Sequence, residues 1–329
     1  MTAAAFSAPG KLMLFGEFAV LQGHPSLAMC FDRRLRCEAR DGGGVLRFDA
    51  PELLDDEVIE LPLSELAAQA PRPELRLLWP LLREAAPRLG GLSLRFDAEF
   101  PPTWGLGSSS ASSVAAVAAV RQLLGALPPL KGLFTEAHEL QRSLQGRASG
   151  YDVATQLLGG TVMFQDARSR GELVKMRQLA THRMHWQVAY TGNKASTTKM
   201  ISVVEGAHAP GQVIYDRIGG LAKEGITFIE HGNSFALGDA MNRGHALLGA
   251  LGAVPAHLDD KVRHIQSRPG VLGARMCGAG GGDCVLLLVD EPRRGAAAVD
   301  DVGFELLSLN PTPHGLREEP VSTEVPRDS

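Results

Sequence analysis

Long uninterrupted apolar runs are missing from this 329-residue chain, and so is any strong excess of one charge. A bilayer-spanning helix needs about 20 predominantly apolar residues. Residues 114–127 are too few for that and are broken by Arg121 and Gln122. Residues 1–7 have neither the basic start nor the long apolar core of a secretory leader, and Lys11 and Glu17 interrupt the next stretch. A cytoplasmic protein with no membrane partner is expected. The formal net charge of -4 gives no support for a nucleic-acid partner, so any phosphate binding has to be local.

Several catalytic signatures are absent as well. There is no His-Glu-x-x-His and no Gly-x-Ser-x-Gly. His182 and His185 flank a strand-like run without a third partner, so they read as structural or surface residues. The four cysteines, Cys30, Cys37, Cys277 and Cys284, show no Cys-x-x-Cys spacing. They lie in apolar, strand-like context and are expected to be buried free thiols. An apolar fraction of 44% and a charged fraction of 21% suit an ordinary globular chain of one large or two medium domains.

What the chain does carry is a glycine-rich loop, Pro102-Thr-Trp-Gly-Leu-Gly-Ser-Ser-Ser-Ala111, running into a helix of small residues. The stretch before it, 92–100, alternates apolar and polar as a half-buried strand does. The loop therefore joins a strand to a helix N-terminus, where unpaired N–H groups and the helix dipole favour an anion. Gly105 and Gly107 allow close backbone approach, and Ser108, Ser109 and Ser110 add hydroxyl donors. That set, with Leu106 between the glycines, suits a polyphosphate. It is not a Walker A loop, because no Gly-Lys-Ser/Thr follows at the required spacing. Taken alone, the segment also fits a flexible glycine-serine connection.

Along the rest of the chain, short strands are expected at 11–15, 26–31, 34–39 and 45–48. A helix with apolar spacing covers 75–89, and others cover 108–126 and 133–146. A short helix follows Asp152, with strands at 159–164 and 185–190. Helices near 196–206, 212–230, 234–251 and 256–266 precede a buried strand at 283–290. From about residue 310 the composition turns to Pro, Glu, Arg and Ser, so 313–329 reads as a loosely ordered tail. The mixed order of strands and helices fits α+β better than regular βαβ alternation.

Two further segments give the loop its context: Ala8-Pro-Gly-Lys-Leu-Met-Leu-Phe-Gly-Glu17 near the start, and Gly273-Ala-Arg-Met-Cys-Gly-Ala-Gly-Gly-Gly-Asp-Cys284 far downstream. In order and spacing, the three segments resemble the three motifs of the GHMP kinases, and they span nearly the whole chain. The resemblance implies a two-domain fold, with a ribosomal-S5-like N-terminal domain at 1–180 and a ferredoxin-like C-terminal domain at 181–312. It also implies ATP and Mg²⁺, a small-molecule phosphate acceptor, and a monomer or homodimer.

The resemblance assigns roles. Asp152, in Ser149-Gly-Tyr-Asp152, matches the aspartate of the mevalonate-pathway branch that contacts the acceptor hydroxyl; on base rates alone an aspartate after glycine is more often a helix cap. Lys11 is the matching cation. Residues 105–110 form the nucleotide loop, and the Ser109 hydroxyl is the metal contact. Glu17, Ser149, Tyr151, Lys194, Thr197, Gly280 and Gly281 fall at the acceptor or against the phosphates. One position departs from the mevalonate kinase pattern: Gln141 stands where those enzymes have a metal-binding glutamate, leaving Glu139 or ATP and water oxygens to supply ligands.

For the acceptor, Phe18 after Gly-Glu, the run Asp152-Val-Ala and the pair Asp283-Cys284 resemble the phosphomevalonate kinase branch more than the mevalonate kinases, and that resemblance implies 5-phosphomevalonate, phosphorylated to the diphosphate for isoprenoid synthesis. Mevalonate is the alternative acceptor. An ATP-dependent diphosphomevalonate decarboxylase and a non-catalytic protein of the same fold are the more distant readings.

Overall fold

The computed structural model describes residues 2–54, 57–66, 72–168, 173–192, 204, 212–278 and 282–322. Its strands are β1 (Ala3–Phe15), β2 (Ser26–Asp41), β3 (Val45–Asp49), β4 (Val58–Pro62), β5 (Leu92–Ala98), β6 (Thr161–Gln165), β7 (Lys175–Gln178), β8 (His185–Tyr190), β9 (Val271–Met276), β10 (Cys284–Val289), β11 (Glu305–Leu307) and β12 (Arg317–Glu319). The main helices are α1 (Trp79–Arg88), α2 (Ser108–Leu123), α3 (Leu130–Gln145), α4 (Tyr151–Leu158), α5 (Gln212–Glu230), α6 (Ser234–Ala250), α7 (Ala256–Gln266) and α8 (Pro292–Asp300). Two sheets result, in the α+β class expected. An eight-stranded sheet runs β12-β1-β2-β5-β3-β4, with β6 and β7 branching from β2. A four-stranded sheet runs β11-β8-β10-β9. No helix among the described residues is long and apolar enough to cross a membrane.

The sequence splits residues 26–39 into two strands, but β2 is continuous. Its first part, Ser26 to Met29, pairs with β6, and its second part, Leu35 to Asp41, pairs with β5. The polar interruption at Asp32 is where β2 changes partners, so it breaks the apolar pattern without breaking the strand. Opposite it, β1 has register shifts at Pro9/Gly10 and Met13/Phe15. Such bulges bend a strand and re-aim its side chains. Lys11 lies between the two.

Helix α2 explains its own composition. Ser110, Ala111 and every residue from Ser113 to Val120 are buried. A helix apolar on all sides belongs inside a core, and its alanines let it lie close on β1 and β2. The start of α2 is thereby fixed relative to Lys11 on β1. All four cysteines are free and buried, as expected, and burial pushes the Cys277 thiol up to about 12.

The expectation of a loose tail from 313 onward needs correction over its described part. Residues 317–319 form β12 and pair antiparallel with β1, from Ala5↔Glu319 to Ser7↔Arg317. The reason is a buried cation that composition alone does not reveal. Arg34 Nη2 donates to the carbonyls of Ser7 and Gly315, both at 2.7 Å, and Nε donates to Ser7 Oγ at 2.7 Å. Farther along, Glu38 accepts from Ser322 N and Oγ. Burial alone would raise the Glu38 pKa, but the Ser322 hydrogen bonds and those from Arg36 and Arg40 hold it down at about 2. The expected helix near 196–206 lies outside the described residues, apart from Val204.

Candidate active site

The loop between β5 and α2, the end of β1 and the start of α4 converge on one cleft of about 330 Å³. Lys11, Glu17, Gly105, Gly107, Ser108, Ser109 and Ser110 line it from the first two motifs. Ser149, Tyr151 and Asp152 line it from α4 and the turn before it, and Cys277, Gly278 and Asp283 face them from the third motif. Most of the residues singled out in the sequence are thus brought together. Leu106 plays a different part: its side chain is buried, and its carbonyl accepts the Lys11 N–H at 2.9 Å. Lys194, Thr197, Gly280 and Gly281 lie outside the described residues.

Gly107 caps α2 with φ +76°, a left-handed conformation suited to glycine. The helix begins with Ser108, so the first-turn N–H groups, which lack intrahelical acceptors, open toward the cleft. Lys11 runs along this loop and is 7% exposed. Burial disfavours its charge, yet the Tyr151 hydroxyl and the Asp152 and Asp283 carboxylates outweigh that and raise its pKa. Lys11 Nζ donates to Tyr151 Oη at 3.3 Å and sits 5.3 Å from the ring centre. A buried, protonated lysine beside a helix N-terminus is suited to neutralising a phosphoryl group.

Asp152 lies in the first turn of α4, after Gly150 at φ +87°. Its Oδ1 accepts from the N–H of Val153 at 2.9 Å. It acts on Lys11 through space, and its charge favours the protonated lysine. The carboxylate is half-buried and on the cleft wall. The preceding turn is held by His138, whose Nε2 contacts Ala148 O at 2.8 Å, and a side chain on Gly150 would press on the His138 and Phe134 rings.

Gln141 is buried and fully engaged. Its Nε2 donates to Ser109 O at 3.0 Å and to Ser113 Oγ at 2.8 Å, while its Oε1 accepts from Ser109 Oγ at 3.1 Å and from Gln145 Nε2 at 3.0 Å. It therefore fixes the start of α2 and orients the Ser109 hydroxyl. Glu139 is exposed and does not line the cleft. Among the described residues, no group of three His, Cys, Asp or Glu side chains could hold a metal ion. One carboxylate and one hydroxyl are nevertheless a fitting donor set for Mg²⁺ that arrives with a nucleotide, since Mg²⁺ is usually bound by one or two carboxylates plus phosphate oxygens and water.

Two supporting residues, Gln156 and Arg275, were not singled out from the sequence, and a third, Asp283, was marked there only for its bearing on the acceptor. Gln156, one helical turn after Asp152, donates from Nε2 to Pro9 O at 2.9 Å and to Gly107 O at 3.1 Å, tying α4 to β1 and the loop. Asp283 adopts φ +61°, and its side chain lies over Gly105, where a Cβ would come within 2.8 Å of it. Arg275 pairs with Glu17, Nη2 to Oε1, at 2.6 Å. A lone arginine in the apolar run of β9 was the available signal, because a buried charge requires a partner. Burial pushes the Glu17 carboxyl up, and Arg275 works against that shift.

Comparison with known proteins accords with this geometry. The model of the GHMP kinases N terminal domain matches residues 75–160, and that of the GHMP kinases C terminal matches residues 227–306. Mevalonate kinase from Aeropyrum pernix is 31% identical over 327 residues, covering 96% of this chain and 98% of that protein. Mevalonate kinase from Pyrococcus abyssi is 29% identical over 335 residues, covering 96% and 97%. The solved structure of Streptococcus pneumoniae phosphomevalonate kinase in complex with phosphomevalonate and AMPPNP superposes with a TM-score of 0.77 at 19% identity, covering 94% of this chain and 100% of that one. A match to both halves, together with a relative similar over almost the entire length, places this chain in the GHMP kinase family of phosphotransferases.

Proposed function

We propose that the protein is a mevalonate kinase, transferring the γ-phosphoryl group of ATP to the primary hydroxyl of mevalonate. The observation that carries the choice of acceptor is the near-full-length similarity to archaeal mevalonate kinases at 31% and 29% identity. The likeness to phosphomevalonate kinase is one of fold, at 19% identity. This reverses the order in which the sequence details place the two acceptors. Phe18, Asp152 and Asp283 line the cleft while Val153, Ala154 and Cys284 are buried, and none of them is a built anion site for a second phosphate.

In this reading the triphosphate lies along the first turn of α2, with N–H groups from the loop and the Ser108 to Ser110 hydroxyls around it. Asp152 receives or orients the proton of the acceptor hydroxyl. That oxygen attacks the γ-phosphorus in line, the bond to the β-phosphate oxygen breaks, and ADP leaves. Lys11 faces the charge that builds on the phosphoryl oxygens. The Ser109 hydroxyl, with phosphate and water oxygens, would hold Mg²⁺, which supplies further neutralisation of the phosphates when bound.

The test is ATP turnover with mevalonate, 5-phosphomevalonate and 5-diphosphomevalonate, with products identified by mass. Mevalonate should be phosphorylated far better than its 5-phosphate. Preference for the 5-phosphate would reinstate the phosphomevalonate kinase reading, and release of carbon dioxide from the diphosphate would overturn both.

A further inference from the structure

Arg275 is among the largest fully buried side chains in the molecule. It stands on β9 in the four-stranded sheet, while Glu17 follows β1 of the eight-stranded sheet. Their 2.6 Å pairing therefore ties the two sheets together at the floor of the cleft. The guanidinium is closely confined. Its Nε donates to Met276 O at 3.2 Å, and its Cζ lies 5.1 Å from the Phe15 ring centre. A Cβ on Gly244 would come within 2.6 Å of Nη1, so the glycine at 244 makes the room it occupies.

Burying an ion pair is rarely the cheapest way to fill a core, since apolar residues of similar volume often serve as well or better. A pair built this closely is better explained by what it presents. Glu17 lines the cleft, and its second oxygen, Oε2, is buried without a hydrogen-bond partner. A buried acceptor atom on a ligand-binding wall calls for a donor from the ligand. The donor that a carboxylate selects is a hydroxyl; it would repel a carboxylate or phosphate.

We propose that Arg275 is a positioning residue: it clamps Glu17 so that the free carboxylate oxygen accepts a hydroxyl of the acceptor. The inference deepens the kinase reading and rests on an acceptor that carries a hydroxyl besides an anionic group. It assigns to an arginine on the strand that leads into the third glycine-rich loop a role in acceptor recognition and none in nucleotide binding.

The experiment uses the full chain with Arg275→Met, Arg275→Lys, Glu17→Gln and the double variant Glu17→Gln/Arg275→Met. Steady-state kinetics with mevalonate are read beside the affinity for a non-hydrolysable ATP analogue by calorimetry. Arg275→Met should raise the acceptor KM about 10-fold or more, the scale of one hydrogen bond to a charged group, and leave nucleotide affinity within about 2-fold. The acid limb of kcat/KM should move to higher pH, because Glu17 without its cation is protonated more easily. Arg275→Lys should recover most of the KM, and the double variant should be no worse than the poorer single. A folded Arg275→Met protein with native acceptor KM and an unmoved acid limb would overturn the proposal. Equal losses in acceptor and nucleotide binding would do the same, marking the pair as merely structural. Should Arg275→Met fail to fold, Glu17→Gln decides through the same split between acceptor and nucleotide. If another acceptor wins the turnover panel, that result corrects the acceptor, and the same variants read against it still decide the role of Arg275.

Discussion

The Lys11 side chain occupies the space that any side chain on Gly107 would need. A Cβ at Gly107 would stand 2.6 Å from Lys11 Cε and 3.1 Å from Nζ. The loop glycine and the buried lysine are therefore one device, in which the absence of a side chain lets the ammonium stand against the loop backbone.

Gly107→Val should consequently damage catalysis more than folding. It displaces Lys11 and forces a β-branched residue to φ +76°. The backbone cost is roughly 1–2 kcal/mol, whereas loss of a positioned cation should lower kcat/KM by about 10²-fold or more. Thermal unfolding beside calorimetric ATP affinity and kcat separates the two effects. A folded variant with native turnover would remove the loop from the phosphate site.

Asp152→Asn keeps the size of the side chain and its hydrogen bond to the Val153 N–H. Turnover should fall about 10²- to 10⁴-fold, the usual scale for a positioned general base, with ATP affinity within a few-fold. Near-native kcat would show that Asp152 serves only as a first-turn residue of α4.

Gln141→Glu exchanges an amide that donates to Ser109 O and Ser113 Oγ for a carboxylate that can donate to neither. Stability should drop by about 1–3 kcal/mol, the penalty for stranded buried partners. Beside the Ser109 hydroxyl, the new charge should also strengthen binding of Mn²⁺ in the absence of nucleotide, measured by calorimetry. Unchanged Mn²⁺ affinity in a folded variant would place the metal away from this corner of the cleft.

His245 gives the pH prediction. Burial first, and then the Arg275 charge, lower its pKa from 6.5 to about 4, against the opposing pull of Asp259. Above pH 6.5 the ring is neutral in both folded and unfolded chains, and its contribution to stability is complete. As pH falls toward 4 the unfolded chain takes up the proton and the folded one does not, so stability is lost across that window. His245→Asn should flatten the slope of Tm against pH between about 4 and 6.5. An identical slope in the variant would assign the acid sensitivity to other groups.

The cleft was legible where chemistry is written locally. Segments such as 105–110 and 149–152 carry their motif residues within a few positions of one another, so a resemblance to known motifs exposed them where spacing alone left a flexible connection or a helix cap as readings. What could not be read is what long-range pairing decides. Arg34 and Arg275 look like ordinary arginines in strands until distant segments bring partners to them, Gly315 to the first and Glu17 to the second. Gln141 resembles a weakened metal ligand because its sequence neighbours give no hint of Ser109 and Ser113 beside it. The change of partner within β2 is hidden for a related reason: a polar residue in the middle of a strand marks a change of neighbours as readily as an end. The acceptor was hardest of all, since 5-phosphomevalonate and mevalonate differ by a single phosphate and no local sequence pattern spells out a site for it.

The return of β12 to the edge of β1 has a further consequence for synthesis. In chain order, the four-stranded sheet is an insertion within the unit that carries the phosphate loop. During translation the eight-stranded sheet cannot close until residues 317–319 have left the ribosome. Until then β1 presents an unpaired edge, the kind of surface on which other chains pair. A chain released before residue 317 would keep that edge bare.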